Sequence, residues 1–496
     1  MNIIHPHSSP LKKILSLLPW LLIGMGIVFR LTIYCQNRNL IIDEANIVRN
    51  LEERNFLELL RPLRYEQFAP PLFLWFEELF SLLFGYGEQA ARLYPLLCGI
   101  GFLFILYALL RRVLPLEVLW FPLALAAVAP ILVRYAAEVK QYVPDSMVAV
   151  SLVLIALRTD MLQLSRRRFL LTWIIAGSVA IWASQPSVFI LACVGLYYFV
   201  IAAQQKQWTY LKPLSVLAIV WLAQFGLYFM VILREQINSA YLQNYHHDYF
   251  LNFFPKDKEE WRHNWIRIKE LLSNTGGWST YSRYINGILF LIGITSLLLR
   301  HFRHFLLLGM PIVLTLLAAA LHQFSLIDRV ALFVLPFAMI VLGFGMAELM
   351  RLPVRVLRPA FAALGVFVLY HYNFSSLFRE RFEFHELTNG FDYIIEKGGT
   401  GKELYVDCAS GPTYDYYTRL HPGRARWAVL KGAYVFDWAD DNYPEVAAKI
   451  NTPKAYFIFT GGGEDLRNRH MEEVKRFMPQ TDFYQHATCF VFTFSK

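Results

Sequence analysis

Hydrophobic residues in this chain come in long runs, separated by short polar links. Near 14–34, 91–110, 117–135, 143–158, 169–184, 187–203, 212–233, 285–299, 305–322, 328–347 and 359–374 the runs are mostly apolar. A spanning helix needs about 20 mostly apolar residues, so the pattern predicts about eleven membrane spans. The first run follows Lys12 and Lys13 and carries no small-residue cleavage site, so it is expected to be a retained span. Residues 44–60 read as an amphipathic helix, with Ile47, Leu51, Leu59 and Leu60 interrupted by charge. "PPLFLWFEELFSLLFG" (70–85) opens on prolines suited to a helix start, and it is too short and too acidic to cross.

Beyond about residue 380 the pattern changes. "ELYVDCA" (403–409), "AYFIFTG" (455–461) and "TCFVFTF" (488–494) read as buried strands, and "YPEVAAKI" and "EDLRNRHMEEVKRFM" read as helices. The predicted fold class is therefore mainly α: a polytopic membrane helical bundle with a small α/β extracytoplasmic C-terminal domain. The expected division is 1–375, with outer loops 35–90 and 234–284, and 376–496.

Composition agrees. The chain has 496 residues, of which 56% are hydrophobic and 17% charged. An average soluble domain is about 25% charged. The formal charge of +9 is not a nucleic-acid footprint, because the basic residues cluster in short loops between apolar runs. With the N-terminus inside, every expected cytoplasmic loop is basic, through Lys12/Lys13, Arg111/Arg112, Arg158 with Arg166–Arg168, Lys206/Lys212, Arg300/Arg303 and Arg351/Arg355/Arg358. That orientation, in an inner (plasma) membrane, puts the C-terminal domain outside. The five cysteines contain no CxxC pair. Cys408 and Cys489 are expected on two of the strands, as either a disulfide or two buried thiols.

The candidate chemistry lies on the outer face. Asp43 and Glu44 sit at the exit of the first span. Asp43 reads either as the cap of a helix starting at Glu44 or as a functional acid. "RYAAEVKQYVPD" (134–145) adds Glu138, Lys140, Gln141 and Tyr142 on the same face; taken alone it is also an ordinary polar hairpin. Glu66 precedes a Pro-Pro corner. Arg329, beside Asp328, is either an interfacial anchor or a phosphate ligand. Acids and cations at one membrane–water boundary suit a sugar leaving a lipid-linked phosphate: a carboxylate takes the acceptor's proton while cations neutralise the departing phosphate.

Weaker signals are "NYHHDYF" (244–250), open to metal or acceptor contacts, "TGGGEDL" (460–466), more typical of a turn, and "GTGK" (399–402), which precedes a strand and is no P-loop.

In "DEA" (43–45), "FAPPLFLW" (68–75), "LFGYGEQAARLYPLLCG" (83–99), "YAAEVKQYVPD" (135–145), "DRVALFVLP" (328–336) and "ELYVDCASGPTYDYY" (403–417) the chain resembles GT-C membrane glycosyltransferases. It is most similar to bacterial relatives of protein O-mannosyltransferases and lipid A aminoarabinose transferases. The resemblance implies a polyprenyl-phosphate sugar donor, membrane lipids as surroundings, a glycan, lipid or protein acceptor, and inversion at the sugar. It implies that Asp43 is the base, Glu44 its support, and Glu138, the second-loop acid, a second catalytic residue. Lys140, Gln141 and Tyr142 would lie near phosphate or sugar, with Arg329 on the phosphate and Glu66 before the Pro-Pro segment. Two departures stand out: Gln67 occupies a position that is Lys in aminoarabinose transferases, and Lys140 one that is Arg in many relatives. No cofactor is implied with certainty; a divalent metal stays open, since the first loop has no DxD. Two alternatives also remain: a polymerase or ligase using diphosphate-linked glycan, and a lipid-linked sugar flippase or transporter.

Overall fold

The computed structural model describes residues 10–237, 239–276, 280–353, 358–371, 386–438, 442–460 and 463–496. Arg355, the expected boundary at 375/376 and two glycines of "TGGGEDL" lie outside them. Among the described residues, six helices are long and apolar enough to cross a membrane: Ile14–Cys35, Glu88–Val113, Ser187–Gln204, Trp208–Leu233, Ser282–Arg300 and Leu332–Met350. The pair Phe302–Leu308 and Met310–Ala320, bent by 49° at Gly309, makes a seventh if taken as one span. The chain is thus a multi-pass membrane protein, and among the described residues the count of eleven is not reached.

The shortfall has local causes. The run 117–135 divides into Leu116–Val128 and Pro130–Tyr135, because Pro130 has no N–H to continue the ladder. The run 359–374 yields 13 residues of helix, Arg358–Tyr370. The helix Arg166–Ala183 begins with three arginines, and Tyr142–Arg158 has 17 residues.

The break at Pro130 frees carbonyls that a buried cation then uses. Arg30, fully buried in the first span, donates to Ala126 O at 3.3 Å, Ala127 O at 3.3 Å and Gly26 O at 3.0 Å. A lone guanidinium would be costly inside the bundle; here it staples the first helix to the broken one. Leu332–Met350 is the central helix. It approaches Ser282–Arg300 so closely that a Cβ on Gly293 or Gly345 would collide with Val341 O or Leu289 O, the small-residue contact that lets two membrane helices pack backbone to backbone.

The C-terminal part holds a five-stranded sheet of β1 (Leu404–Val406), β2 (Tyr434–Val435), β3 (Lys454–Thr460), β4 (Gln480–His486) and β5 (Cys489–Ser495) in the order β2-β1-β3-β5-β4. β1 runs parallel to β2 and β3, and β5 is antiparallel to β3 and β4. The helix Leu387–Glu396 packs Phe391 and Ile394 with Ile458 and Val491. Met471 and Val474 of Glu464–Val474 join Phe457, Phe459, Phe492 and Phe494 in a separate core, so the sheet is covered on both faces. β3 and β5 follow the expected runs, whereas β2 and β4 are too short or too polar to announce themselves. Cys408 is not on a strand but in the turn after β1, and β3 separates β1 from β5. All five cysteines are free, so the Cys408–Cys489 disulfide alternative is not the one adopted.

Candidate active site

The expected helix 44–60 forms as Ile42–Glu53 followed by a short 3-10 turn, Glu58–Leu60. Asp43 is therefore not its cap. It lies in the first turn, and Glu44 is the residue that serves the helix end: its Oε2 accepts the Ile41 N–H at 3.0 Å. Glu44 is completely buried. It also accepts from Arg38 Nη1 (3.0 Å), Arg92 Nε (2.8 Å), Arg92 Nη2 (2.7 Å) and the Val139 N–H (3.0 Å). Arg92 continues to Arg38 O (2.7 Å) and Asn39 O (3.1 Å). Burial opposes charge on Glu44, but Arg38 and Arg92 prevail and hold the carboxyl far below its usual range. This network locks the loop after the first span to the 136–141 turn and to the start of the Glu88–Val113 span.

Glu138, also buried, is held by Arg134 Nε at 2.8 Å and Arg38 Nη2 at 3.4 Å. Asp43 has different partners. Lys140 Nζ is 3.5 Å from its Oδ2, and Gln67 Nε2 donates to its Oδ1 at 3.3 Å. Gln67 Oε1 in turn accepts from Lys140 Nζ at 2.8 Å. Lys140 first, then Arg329 and Gln67, keep the Asp43 carboxyl below the ordinary range against the effect of burial. Burial lowers the Lys140 ammonium, with Arg329 adding to the effect and Asp43 resisting it.

Gln67 reaches this position through an unusual turn. Tyr65 and Glu66 have φ of 64° and 52°, a left-handed conformation that costs a non-glycine residue about 1–2 kcal/mol. Tyr65 is held there by its hydroxyl on Glu53 (2.7 Å) and by Arg49, whose guanidinium carbon lies 3.9 Å from the ring centroid. Glu66 is exposed and accepts from Ser239 Oγ at 2.9 Å. It is therefore turned toward the loop 234–284 while Gln67 faces Asp43.

Arg329 approaches from the loop before Leu335–Met350. Its backbone N–H is taken by Asp328, and its Nη2 donates to the Tyr245 hydroxyl at 2.5 Å. Its buried Nε makes no hydrogen bond. Burial works against its charge, but the oxygens of Tyr142, Tyr245, Tyr135 and Asp43 hold its pKa high. Tyr142 packs edge-on against Tyr135 with centroids 5.1 Å apart. Gln141, one turn before Asp145, has a buried Oε1 that makes no hydrogen bond. Of the predicted residues, Asp43, Lys140, Tyr142 and Arg329 thus gather at one point, Glu44 and Glu138 form the arginine-bound scaffold beneath them, and Glu66 turns away.

Three partners were not singled out as site residues. In the sequence Gln67 marks only a departure from relatives, Arg92 is one residue of the motif 83–99, and Tyr245 sits beside two more conspicuous histidines. His247 pairs with exposed Asp248 at 3.3 Å. His246 lies close enough to Arg329 that burial first, and then that cation, lower its pKa. Among the described residues no three His, Cys, Asp or Glu side chains converge as a metal set.

The C-terminal part rests on the same loop. The Tyr417 hydroxyl donates to Glu88 at 2.7 Å and accepts the Leu40 N–H at 3.1 Å. Asn39 Oδ1 accepts from Thr388 N (3.0 Å), and Arg49 pairs with Asp415 at 3.2 Å.

By fold, the chain is similar to ArnT from Cupriavidus metallidurans. The match to its apo structure has a TM-score of 0.53 at 15% identity, and covers 95% of this chain and 97% of that one. The match to ArnT bound to undecaprenyl phosphate has a TM-score of 0.56 at 16% identity, with the same coverage. The chain has a GT-C fold. The family described as dolichyl-phosphate-mannose-protein mannosyltransferase matches residues 69–232, a stretch that includes the Pro-Pro corner at 70–71 and the Glu138–Tyr142 turn and starts just after Gln67. No curated protein matches the chain by sequence.

Proposed function

We propose that this chain is a membrane glycosyltransferase that moves a monosaccharide from a polyprenyl-phosphate carrier to an acceptor at the periplasmic face. The observation that carries this reading is one carboxylate, Asp43, flanked by two cations, Lys140 and Arg329, at the end of the first span. The similarity to the fold of ArnT, which binds undecaprenyl phosphate, supports the choice of donor class.

In this reading Asp43 accepts the proton of the acceptor hydroxyl as that oxygen bonds to the anomeric carbon. The bond from that carbon to the phosphate oxygen breaks from the opposite side, so configuration inverts. The leaving oxygen keeps the electron pair, and Arg329 and Lys140 neutralise it. Residues 1–375 form the membrane part in an inner (plasma) membrane, and 376–496 an outer domain over the site. Glu138 is assigned a supporting part, since two arginines already hold it.

The test uses purified protein with a radiolabelled polyprenyl-phosphate sugar and a lipid acceptor extract. Release of free polyprenyl phosphate with transfer of label is expected. Movement of intact donor across liposomes without cleavage would instead establish a flippase.

A further inference from the structure

Lys140 occupies an awkward position for a phosphate ligand. It is buried, and its ammonium is already committed: one N–H goes to Gln67 at 2.8 Å, and the charge faces Asp43 at 3.5 Å. The second distance is long for a charge-assisted bond, so the pairing with Asp43 is the weaker of the two. A base clamped to an ammonium is a poor base. The local charge is also unbalanced: Asp43 has Lys140 and Arg329 as two cations beside it, and Glu138, the other acid facing Lys140, is already held by Arg134 and Arg38.

We propose that Lys140 is a donor-operated latch on the base Asp43. In the free chain the ammonium pairs with Asp43; when a phosphate monoanion or diester enters between Lys140 and Arg329, the ammonium moves onto it and releases the carboxylate. This rests on the transferase reading above. The parts suit the motion. Lysine is a point charge on a flexible four-carbon stem, so it can swing where an arginine fork bound to both partners could not. Gln67 has two ends, with Oε1 facing Lys140 and Nε2 facing Asp43. It therefore keeps Asp43 oriented after Lys140 leaves, and acts as a positioning residue. Arg329 offers the other half of the anion site: Tyr245 fixes one end of its guanidinium, and its Nε makes no hydrogen bond.

The charged and titratable groups around the latch come from four stretches of the chain, at 43, 135–142, 245–246 and 329. Asp43 is faced by Lys140 and Arg329. Lys140 is faced by Asp43, Arg329 and Glu138, and Arg329 by Asp43, Tyr135, Tyr142, Tyr245 and His246. The exchange makes the base strong only when the leaving phosphate is already in place. The acceptor's proton then passes to Asp43 and on to water, while the phosphate oxygen departs with the electron pair of the broken bond.

Two measurements test it. The first is the pair of pH profiles of kcat/KM for donor and of kcat, in wild type and Lys140→Met. An opposite charge this close lowers a carboxylic acid by about one to three pH units. The latch predicts that Lys140→Met raises the acidic limb of kcat/KM, which reports the free enzyme, by about one unit or more, and leaves the limb of kcat nearly still. If both limbs rise together, Lys140 stays on Asp43 throughout and the latch is wrong. The second needs no variant: a cryo-EM structure of the wild type with polyprenyl phosphate. Lys140 Nζ on a phosphate oxygen and away from Asp43 supports the latch, and Nζ still paired with Asp43 overturns it. Failure of the wild type to release polyprenyl phosphate from the sugar donor would sink the transferase reading itself, a separate result.

Discussion

Glu44 and Arg92, 48 residues apart, form a two-point ion pair at 2.8 and 2.7 Å inside a site where neither side chain meets solvent. The pair is why Asp43 and Glu44, adjacent in sequence, have different roles. Glu44 is bound on every side and organises the backbone of three segments. Asp43 retains partial exposure and a single, loosely paired ammonium.

Breaking that pair is expected to be severe. Glu44→Gln leaves Arg38 and Arg92 buried beside a neutral group, a loss of about 3–5 kcal/mol. Thermal unfolding in detergent should show a large fall in Tm. The folded pKa of Glu44 is depressed, so its contribution is present above the unfolded value of 4.5 and is lost as pH falls through the depressed one. The gap between wild type and Glu44→Gln should therefore narrow only on strong acidification.

Asp43→Asn should leave folding and donor binding intact and reduce turnover by about 10²–10⁴-fold, the usual range for a lost general base. Full turnover in a folded Asp43→Asn protein would remove Asp43 from the chemistry.

Arg329→Ala should weaken donor binding by about tenfold to a hundredfold, as expected for losing a hydrogen bond to a charged group. Arg329→Lys restores charge but not the planar fork, so partial recovery is expected. Titration with polyprenyl phosphate measures both; an unchanged affinity in Arg329→Ala would place the phosphate elsewhere.

Glu77 is fully buried in the Pro71–Phe84 helix, and neither carboxylate oxygen is hydrogen-bonded. Burial first, and the Glu44 carboxylate next, push its pKa well above 4.5. The folded state thus favours the neutral acid, and stability is lost as pH rises from the unfolded value toward the raised one. Glu77→Gln should remove that loss: its Tm should match wild type near pH 4 and exceed it as pH rises. A parallel pH dependence in both proteins would show that Glu77 has a partner.

Tyr417→Phe takes away the hydroxyl that serves Glu88 and the Leu40 N–H at once. The Leu40 N–H then lacks a partner, at about 1–3 kcal/mol, and Glu88 is left with His421 at 3.1 Å. Limited proteolysis should cut residues 386–496 faster in the variant than in wild type; equal rates would mean that the Tyr417 contact does not hold this part in place.

By itself the sequence determined the class of the molecule, because long apolar runs and basic short loops are local properties that lipid and water read segment by segment. It also picked out Asp43, Lys140 and Arg329, since charge beside a span is visible without a fold. It left the span count open, because hydropathy alone carries a run through Pro130, where the helix in fact breaks. Tertiary structure decided the rest. Whether Asp43 or Glu44 is the free acid depends on which one Arg38 and Arg92 reach, from six residues before Glu44 and 48 residues after it. Gln67 joins the site only because two consecutive left-handed residues turn it inward. Lys140 and Arg329, far apart along the chain, act on one carboxylate because folding brings them there. Electrostatic partners are chosen by distance in space, and no local pattern of residues encodes that distance.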